Sequence, residues 1–308
     1  MGLGKFDKIM QSKDLDKDGS GGMQELYQQY KGLLFTLAYQ LTGSASDAED
    51  VMQDVFLKLY DVQPEKLMEP KAYLCKMVTN RCLDLLKSAR RQREQYFGEW
   101  LPEPILTSHE DSLDKVVRDD LLSYAMLVLL ERLSPAERSV FVLREALGFE
   151  YSEIAGLVGK NETNCRKLFS RARGKMGIPL EEPIQAEGAG EEWVRTFLTA
   201  LEQGHVDKMV SMLAEDVILI SDGGGKAMAA VHPIVSREYV LRFLMGLVQK
   251  AAKNGEDFSM ELREINGQTG LIIRSGGVIE TVALMHAEGS LVRNFYLIRN
   301  PDKLEAFK

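Results

Sequence analysis

Apolar residues recur three and four positions apart through LYQQYKGLLFTLAYQLTG, which predicts an amphipathic helix closed by Gly43. SASDAEDVMQDVFLKLY follows, with serine caps and acids where the helix dipole favours them, and Val51, Val55 and Leu59 form its apolar stripe. Pro70 then opens KAYLCKMVTNRCLDLLKSARRQREQY, whose apolar face gives way to a basic run. FGEWLPEPILTSHEDS holds two prolines and little periodicity, so it reads as a flexible linker, and a second helical unit is expected from Leu113 to Met176. GIPLEEPIQAEGAG reads as another linker. From Glu191 the pattern changes. EEWVRTFLTALEQG, HVDKMVSMLAED and REYVLRFLMGLVQKAAK have helical spacing, while VILIS, FSMELREI, TGLIIRS, VIETVALMH and SLVRNFYLIRN read as strands. Asn266-Gly267, Gly276-Gly277 and 287–289 mark hairpins, predicting an α+β domain whose antiparallel sheet curls around helices. The expected division is multidomain: an extension (1–22), an all-α module (23–97), a linker (98–112), a second all-α module (113–177), a linker (178–190) and the α+β domain (191–308).

Within the second module, Ile154, Ala155, Leu157 and Val158 give one short helix, Gly159 a turn, and Asn161 a cap for the next helix. In that next helix Cys165, Leu168 and Ala172 share a face predicted to be core. Thr163, Asn164, Arg166, Lys167, Arg171 and Arg173 fall on the other. Amides and guanidinium groups on the outer face of a helix set against its partner by a glycine turn suit base edges and phosphates in a major groove.

The net charge of −8 argues against a DNA binder until its distribution is considered. Between Lys71 and Arg93 seven Lys/Arg face one acid, and between Lys160 and Lys175 six face one, so two basic patches sit on an acidic body. No run is long and apolar enough for a membrane span, and MGLGKFDKIM has no apolar signal core, so a cytoplasmic protein without membrane partners is expected. Cys75, Cys82 and Cys165 form no CxxC pair, which fits a reducing compartment and no zinc site. Asp14, Asp16, Asp18, Ser20 and Glu25 match the ligand positions of a twelve-residue calcium loop, with Gly19 at its sharp turn. Gly21 stands where an apolar residue is usual and no second loop follows. The expectation is no resident metal or cofactor, with residues 1–22 a non-native extension as the alternative to a calcium site.

The order of these pieces resembles the extracytoplasmic-function family of bacterial RNA polymerase sigma factors. The resemblance runs through DAEDVMQDVFLKLY, PKAYLCKMVTNRCLDLLKSARR and LSPAERSVFVLREALGFEYSEIAGLVGKNETNCRKLFSRAR. It implies that the first of these docks on core RNA polymerase through Asp50, Gln53, Asp54 and Phe56, with Asp47 a lesser candidate. The second would open and read the minus-ten element through Asn80, Arg81, Lys87, Arg90 and Arg91, with Tyr73 either a base-stacking or a core residue. The helix-turn-helix would read the minus-thirty-five element through Thr163, Asn164, Arg166, Lys167 and Arg171. Residues from 191 resemble the C-terminal SnoaL-like domain of one subgroup, whose markers match WLPEP (100–104), DGGGK (222–226) and NPDKL (300–304).

That resemblance implies a sigma factor, not an enzyme, whose partners are core polymerase and promoter DNA and whose activity its own C-terminal domain modulates. Asp222, Lys226, Asp302 and Lys303 are expected to make polar or ionic regulatory contacts between domains. SnoaL-like folds form a cone with an internal pocket, so the resemblance also implies a site for a small ligand, and Asp222, His232, Glu280 and His286 are the titratable candidates to face it. The competing reading is a ligand-sensing DNA-binding regulator, or a SnoaL-like enzyme fused to a DNA-binding module. No nucleophile–base spacing or paired carboxylates support catalysis.

Overall fold

The computed structural model describes residues 20–59, 62, 69–93, 96–107, 121–179, 187–254 and 258–307, without the side chains of 20–23, 88–93, 187 and 251–254. Asp14, Asp16, Asp18 and Gly19 of the calcium-loop pattern therefore lie outside the described residues, and Ser20 and Glu25 fall in a helix. The chain forms two compact units. One lies within Met1–Gln92, His109–Leu122 and Leu129–Pro183; the other lies within Arg93–Ser108, Ser123–Val128 and Ile184–Lys308.

The first unit is helical. Helices α1 (Ser20–Thr42) and α2 (Ala45–Leu59) form a hairpin turned by Gly43 at φ 72°, and the Ser44 hydroxyl accepts from the Asp47 amide at the start of α2. Leu34, Leu37 and Leu41 of α1 are buried, as are Val51, Val55, Phe56 and Leu59 of α2 and Leu74, Val78 and Cys82 of α3 (Pro70–Arg93). Burial pushes the Cys75 thiol up to about 12, and raises that of Cys82 too, so both are inert packing residues. After α4 (Tyr124–Leu130), Ser134 and Glu137 make a reciprocal capping box at the start of α5 (Pro135–Glu145), with Pro135 at its first position. Helix α6 (Tyr151–Val158) ends on Gly159 in the left-handed region (φ 64°), and α7 (Glu162–Met176) follows. Arg138 of α5 is only 2% exposed. Its Nε donates to the Gln40 carbonyl of α1 (3.1 Å) and its Nη2 to Glu131 (2.6 Å). A charge thus ties the second helical module to the first.

The second unit carries β1 (Glu187–Gly188), α8 (Glu191–Glu202), α9 (Val206–Met212), β2 (Leu213–Asp222), β3 (Ile234–Val235), α10 (Arg237–Asn254) and the meander β4 (Phe258–Ile265), β5 (Gln268–Ser275), β6 (Val278–Glu288) and β7 (Leu291–Ile298). The sheet order is β3-β2-β7-β6-β5-β4, with β1 paired to β6. The sheet is mixed rather than wholly antiparallel, because β2 runs parallel to β7, Leu219 opposite Phe295 and Asp222 opposite Ile298. A parallel pair needs a long crossover, which α10 and the first three meander strands supply. One face packs Val217, Leu219, Met285, Phe295 and Leu297 against Val194, Phe197, Met209, Val240 and Leu244. Val282, Leu284, Tyr296 and Ile298 alternate with these and are buried too, so the centre of the sheet is covered on both faces.

The Arg138 contacts predict a stability change. Arg138→Ala deletes the buried guanidinium that bonds Glu131 and the Gln40 carbonyl and should cost about 3 kcal/mol, whereas Arg138→Met, which keeps the stem, should cost less. Urea denaturation of both variants measures the difference.

Candidate functional site

The Asn161 side chain accepts from the Asn164 amide at 2.8 Å and fixes the start of α7. Thr163, Asn164, Arg166, Lys167 and Arg171 are all exposed, and Ser170 joins Thr163, Arg166, Lys167 and Arg171 along one shallow groove. Lys167 and Arg171 have no ion pair among the described residues, while Arg166 lies 3.7 Å from Glu162. Arg173 departs from expectation. It is buried, donates to the Pro179 carbonyl and lies 3.6 Å from Glu145. The core face runs through Cys165, Phe169, Ala172, Arg173 and Met176, and Leu168 is only half-buried. Phe169, four residues before Arg173, carries the spacing that assigns this arginine inward.

On α2, Asp50 is exposed and Gln53 half-buried, and half-buried Asp54 accepts from Arg81 of α3 at 2.7 Å. Asp47 is half-buried. Phe56 corrects the expectation of a docking residue, since it is fully buried with its ring edge-on to Tyr27 (4.9 Å). It belongs to the same apolar stripe as Met52, Val55 and Leu59, which faces α1. On α3, Asn80 and Lys87 are exposed, Lys87 paired with Asp84 at 2.8 Å, and Tyr73 is half-buried. The Lys87 ammonium lowers the Asp84 pKa. The side chains of Arg90 and Arg91 lie outside the described residues.

Residues 96–107, read as part of a flexible linker, are instead fastened to the second unit. Leu101, Pro102, Glu103, Pro104, Ile105 and Thr107 are buried. Ile105 donates its amide to Asn266 Oδ1 (3.1 Å) and accepts the Asn266 amide (2.9 Å), Thr107 donates to the Glu264 carbonyl (3.1 Å), and Leu106 bridges Ile265. Tyr124 donates its hydroxyl to the Pro102 carbonyl (2.6 Å) and lays its ring on Tyr296. At the centre sits Asp222, fully buried at the end of β2. Its carboxylate accepts from the Tyr96 hydroxyl (2.6 Å), the Leu101 amide (2.9 Å), the Gly224 amide (3.0 Å) and the Lys303 ammonium (2.7 Å). Lys303 also donates to the Leu101 carbonyl and lies 4.0 Å from the Trp100 ring centroid. Asn300 donates to the Tyr96 hydroxyl at 2.8 Å and caps the short 3-10 turn Pro301–Lys303. WLPEP, DGGGK and NPDKL thus meet at one buried charge. Gly224 is at φ 58°, and a Cβ there would collide with the Asn300 amide and come within 3.0 Å of the Tyr96 hydroxyl. Lys226 and Asp302 form a separate, exposed ion pair.

Residues 26–92 match the model of Sigma-70 region 2, and residues 123–176 that of Sigma-70 region 4. The chain is 36% identical over 243 residues to the ECF RNA polymerase sigma factor SigJ of Mycobacterium tuberculosis strain H37Rv, covering 77% of this chain and 76% of that one. The chain belongs to the extracytoplasmic-function RNA polymerase sigma factors. It is also 35% identical to a probable ECF sigma factor, SigI, of M. tuberculosis strain CDC 1551, over 61% of this chain and 65% of that one. The crystal structure of M. tuberculosis SigJ superposes with a TM-score of 0.75 at 31% identity, covering 91% of this chain and 97% of that chain. Two helical sigma modules and a SnoaL-like α+β domain are therefore the architecture of this sigma factor.

Inside the curled sheet lies an apolar cluster that includes Phe197 and Phe295, whose rings are 5.6 Å apart. The four titratable groups expected there are dispersed. Asp222 is in the buried cluster, His232 is exposed, Glu280 lies 3.5 Å from Arg299, and His286 pairs with Asn294 at 3.1 Å. Sequence reasoning missed Tyr96, Asn300 and Asn266. A Trp and two prolines in six residues, an unusual composition for solvated chain, were the available signal.

Burial, then the hydrogen bond to Asp222, raises the Tyr96 pKa above its ordinary value of 10. The docked state therefore holds Tyr96 neutral. Its contribution to stability is fully present below pH 10 and is lost as pH rises through the higher folded value. Above pH 10 the Tm of the sigma factor should fall more steeply with pH than that of Tyr96→Phe; parallel slopes in calorimetry would refute this.

Proposed function

We propose that this sigma factor recruits core RNA polymerase through the α2 surface around Asp50, Gln53 and Asp54, in the cytoplasm where the polymerase works. Asn80, Arg81 and Lys87 on α3, with Arg90 and Arg91, engage the opened minus-ten element, and the exposed strip of α7 engages the minus-thirty-five element. Cations beside amides suit melted backbone and bases on α3, and phosphates with base edges on α7. No metal or cofactor takes part. The described residues include no helix long and apolar enough to cross a membrane.

The C-terminal domain restrains this activity. The observation that carries the reading is that the chain joining α3 to α4 is fastened to that domain through Asp222 and Lys303. Two modules reading separate promoter elements need slack between them, and fastening 96–107 shortens it. Arg138 adds a second restraint by holding α5 to α1.

Promoter-specific open-complex formation with purified core polymerase tests the reading. The full chain should support it. Lys303→Met, which strips Asp222 of its counter-charge, should increase it several-fold by releasing the segment. Equal activity would make the domain a passenger, and absence of any open complex with a folded chain would remove the sigma reading itself.

Base and phosphate roles on α7 separate in a binding-site selection. Asn164→Ala and Arg171→Ala should relax sequence preference by about 1–3 kcal/mol at the affected positions. Lys167→Ala should weaken all sequences alike and flatten the salt dependence.

A further inference from the structure

Tyr151, the first residue of α6, is half-buried beneath two cations. The Arg166 guanidinium lies 4.3 Å from its ring centroid and that of Arg144 lies 5.0 Å away. The two cations are not equivalent. Arg144 is bound elsewhere, to the Phe149 carbonyl at 2.9 Å and to Glu150 at 3.0 Å. Among the described residues Arg166 pairs only with Glu162, at 3.7 Å and beyond hydrogen-bond length, and its side chain is 61% exposed. The Tyr151 ring is itself fixed from behind, edge-on to Phe169 at 6.0 Å, and Phe169 stacks on Phe141 at 5.8 Å. A rigid aromatic column therefore runs from the core of the second helical module to a cation on the strip of α7.

The geometry points to Tyr151 as a positioning residue for promoter binding: its ring holds the Arg166 guanidinium flat and extended, with its N–H fork presented to a DNA phosphate. This rests on the reading of α7 as the promoter-facing helix. An arginine on an exposed helix ordinarily loses side-chain entropy when it engages a phosphate, and a side chain already laid on a ring loses less. The ring face attracts the guanidinium without using any of its donors, so all remain for the phosphate. The weak Glu162 pair is exposed and readily displaced. Tyr151 touches no DNA in this account and acts through Arg166.

The test uses the full chain and a fluorescein-labelled duplex of random sequence, about 40 base pairs long, because a phosphate contact is sequence-independent. Four variants are titrated over a range of salt: Tyr151→Phe, Tyr151→Leu, Arg166→Ala and the Tyr151→Leu/Arg166→Ala double variant, each checked by thermal melting. Tyr151→Phe keeps the ring and should bind as the unsubstituted chain does. Tyr151→Leu keeps apolar bulk without the ring face, and should bind about two- to five-fold more weakly. Arg166→Ala should weaken binding at least as much and lower the salt slope by about one contact's worth. The double variant should bind no more weakly than Arg166→Ala alone, because the ring has nothing left to position. A second measurement needs no DNA: the Arg166 Nε–H resonance in a 15N-labelled chain should lose its ring-current shift and its order in Tyr151→Leu but not in Tyr151→Phe. Arg166→Ala weak with Tyr151→Leu unchanged overturns the positioning role and spares the reading of α7. Additive losses in the double variant, or a Tyr151→Phe as weak as Tyr151→Leu, also overturn it. Arg166→Ala binding as tightly as the unsubstituted chain, or no binding by any of them, overturns both.

Discussion

A carboxylate removed from water must meet a counter-charge and enough donors to replace its hydration, and Asp222 meets both only if three distant pieces of chain converge. The parallel strand β2 carries Asp222 to the sheet's end, where the backbone carbonyl of the same residue accepts the amides of Arg299 and Asn300 (2.7 and 2.9 Å). That places the turn bearing Lys303 within reach. The glycine turn after Asp222 folds back without side chains, leaving room for Tyr96 and Asn300. Remove the charge pair and the 96–101 segment keeps only the Tyr96–Asn300 bond among these polar contacts, while the terminal turn keeps its amides on the Asp222 carbonyl.

The ion pairs of this sigma factor form a hierarchy that decides what can open. Lys87–Asp84, Arg166–Glu162 and Lys226–Asp302 are exposed, water-screened pairs that a competing charge displaces at little cost. Arg81–Asp54 is intermediate, joining a residue proposed for DNA to one proposed for polymerase, so engagement of either frees the other. Arg138–Glu131 and Lys303–Asp222 are buried, and separating them leaves charges that water must reach before anything moves. The cations proposed to read the promoter are thus held loosely, while the contacts proposed to restrain the modules are held tightly.

Much of this was legible in the sequence because period and caps are local signals. The three helices of the first module, the helix-turn-helix with its Gly159 turn and Asn161 cap, and the four-strand meander with its hairpins all follow from spacing and turn chemistry. What was not legible depends on partners far apart in the chain. The parallel pairing of β2 with β7 joins residues separated by the whole meander. Phe56 reads as exposed beside acids yet closes the α1–α2 core, and the 96–107 segment reads as linker because its periodicity is replaced by bonds to residues 222, 264 and 266. The motifs WLPEP, DGGGK and NPDKL were visible one by one, but their convergence on a single carboxylate was not.

In the proposed restraint the polar cluster at Asp222 works beside buried apolar residues of the same segment, Leu101 and Ile105. An apolar surface exposed on release would have to find another cover or invite aggregation. In that proposal release hydrates Asp222, Lys303 and Tyr96 but also exposes Leu101 and Ile105, which favours a partner that covers them. The docked form is held by geometry and low dielectric, the released form by hydration, so the balance between them rests on few side chains. Under the proposed restraint, core polymerase and promoter DNA shift that balance by binding the released form more tightly.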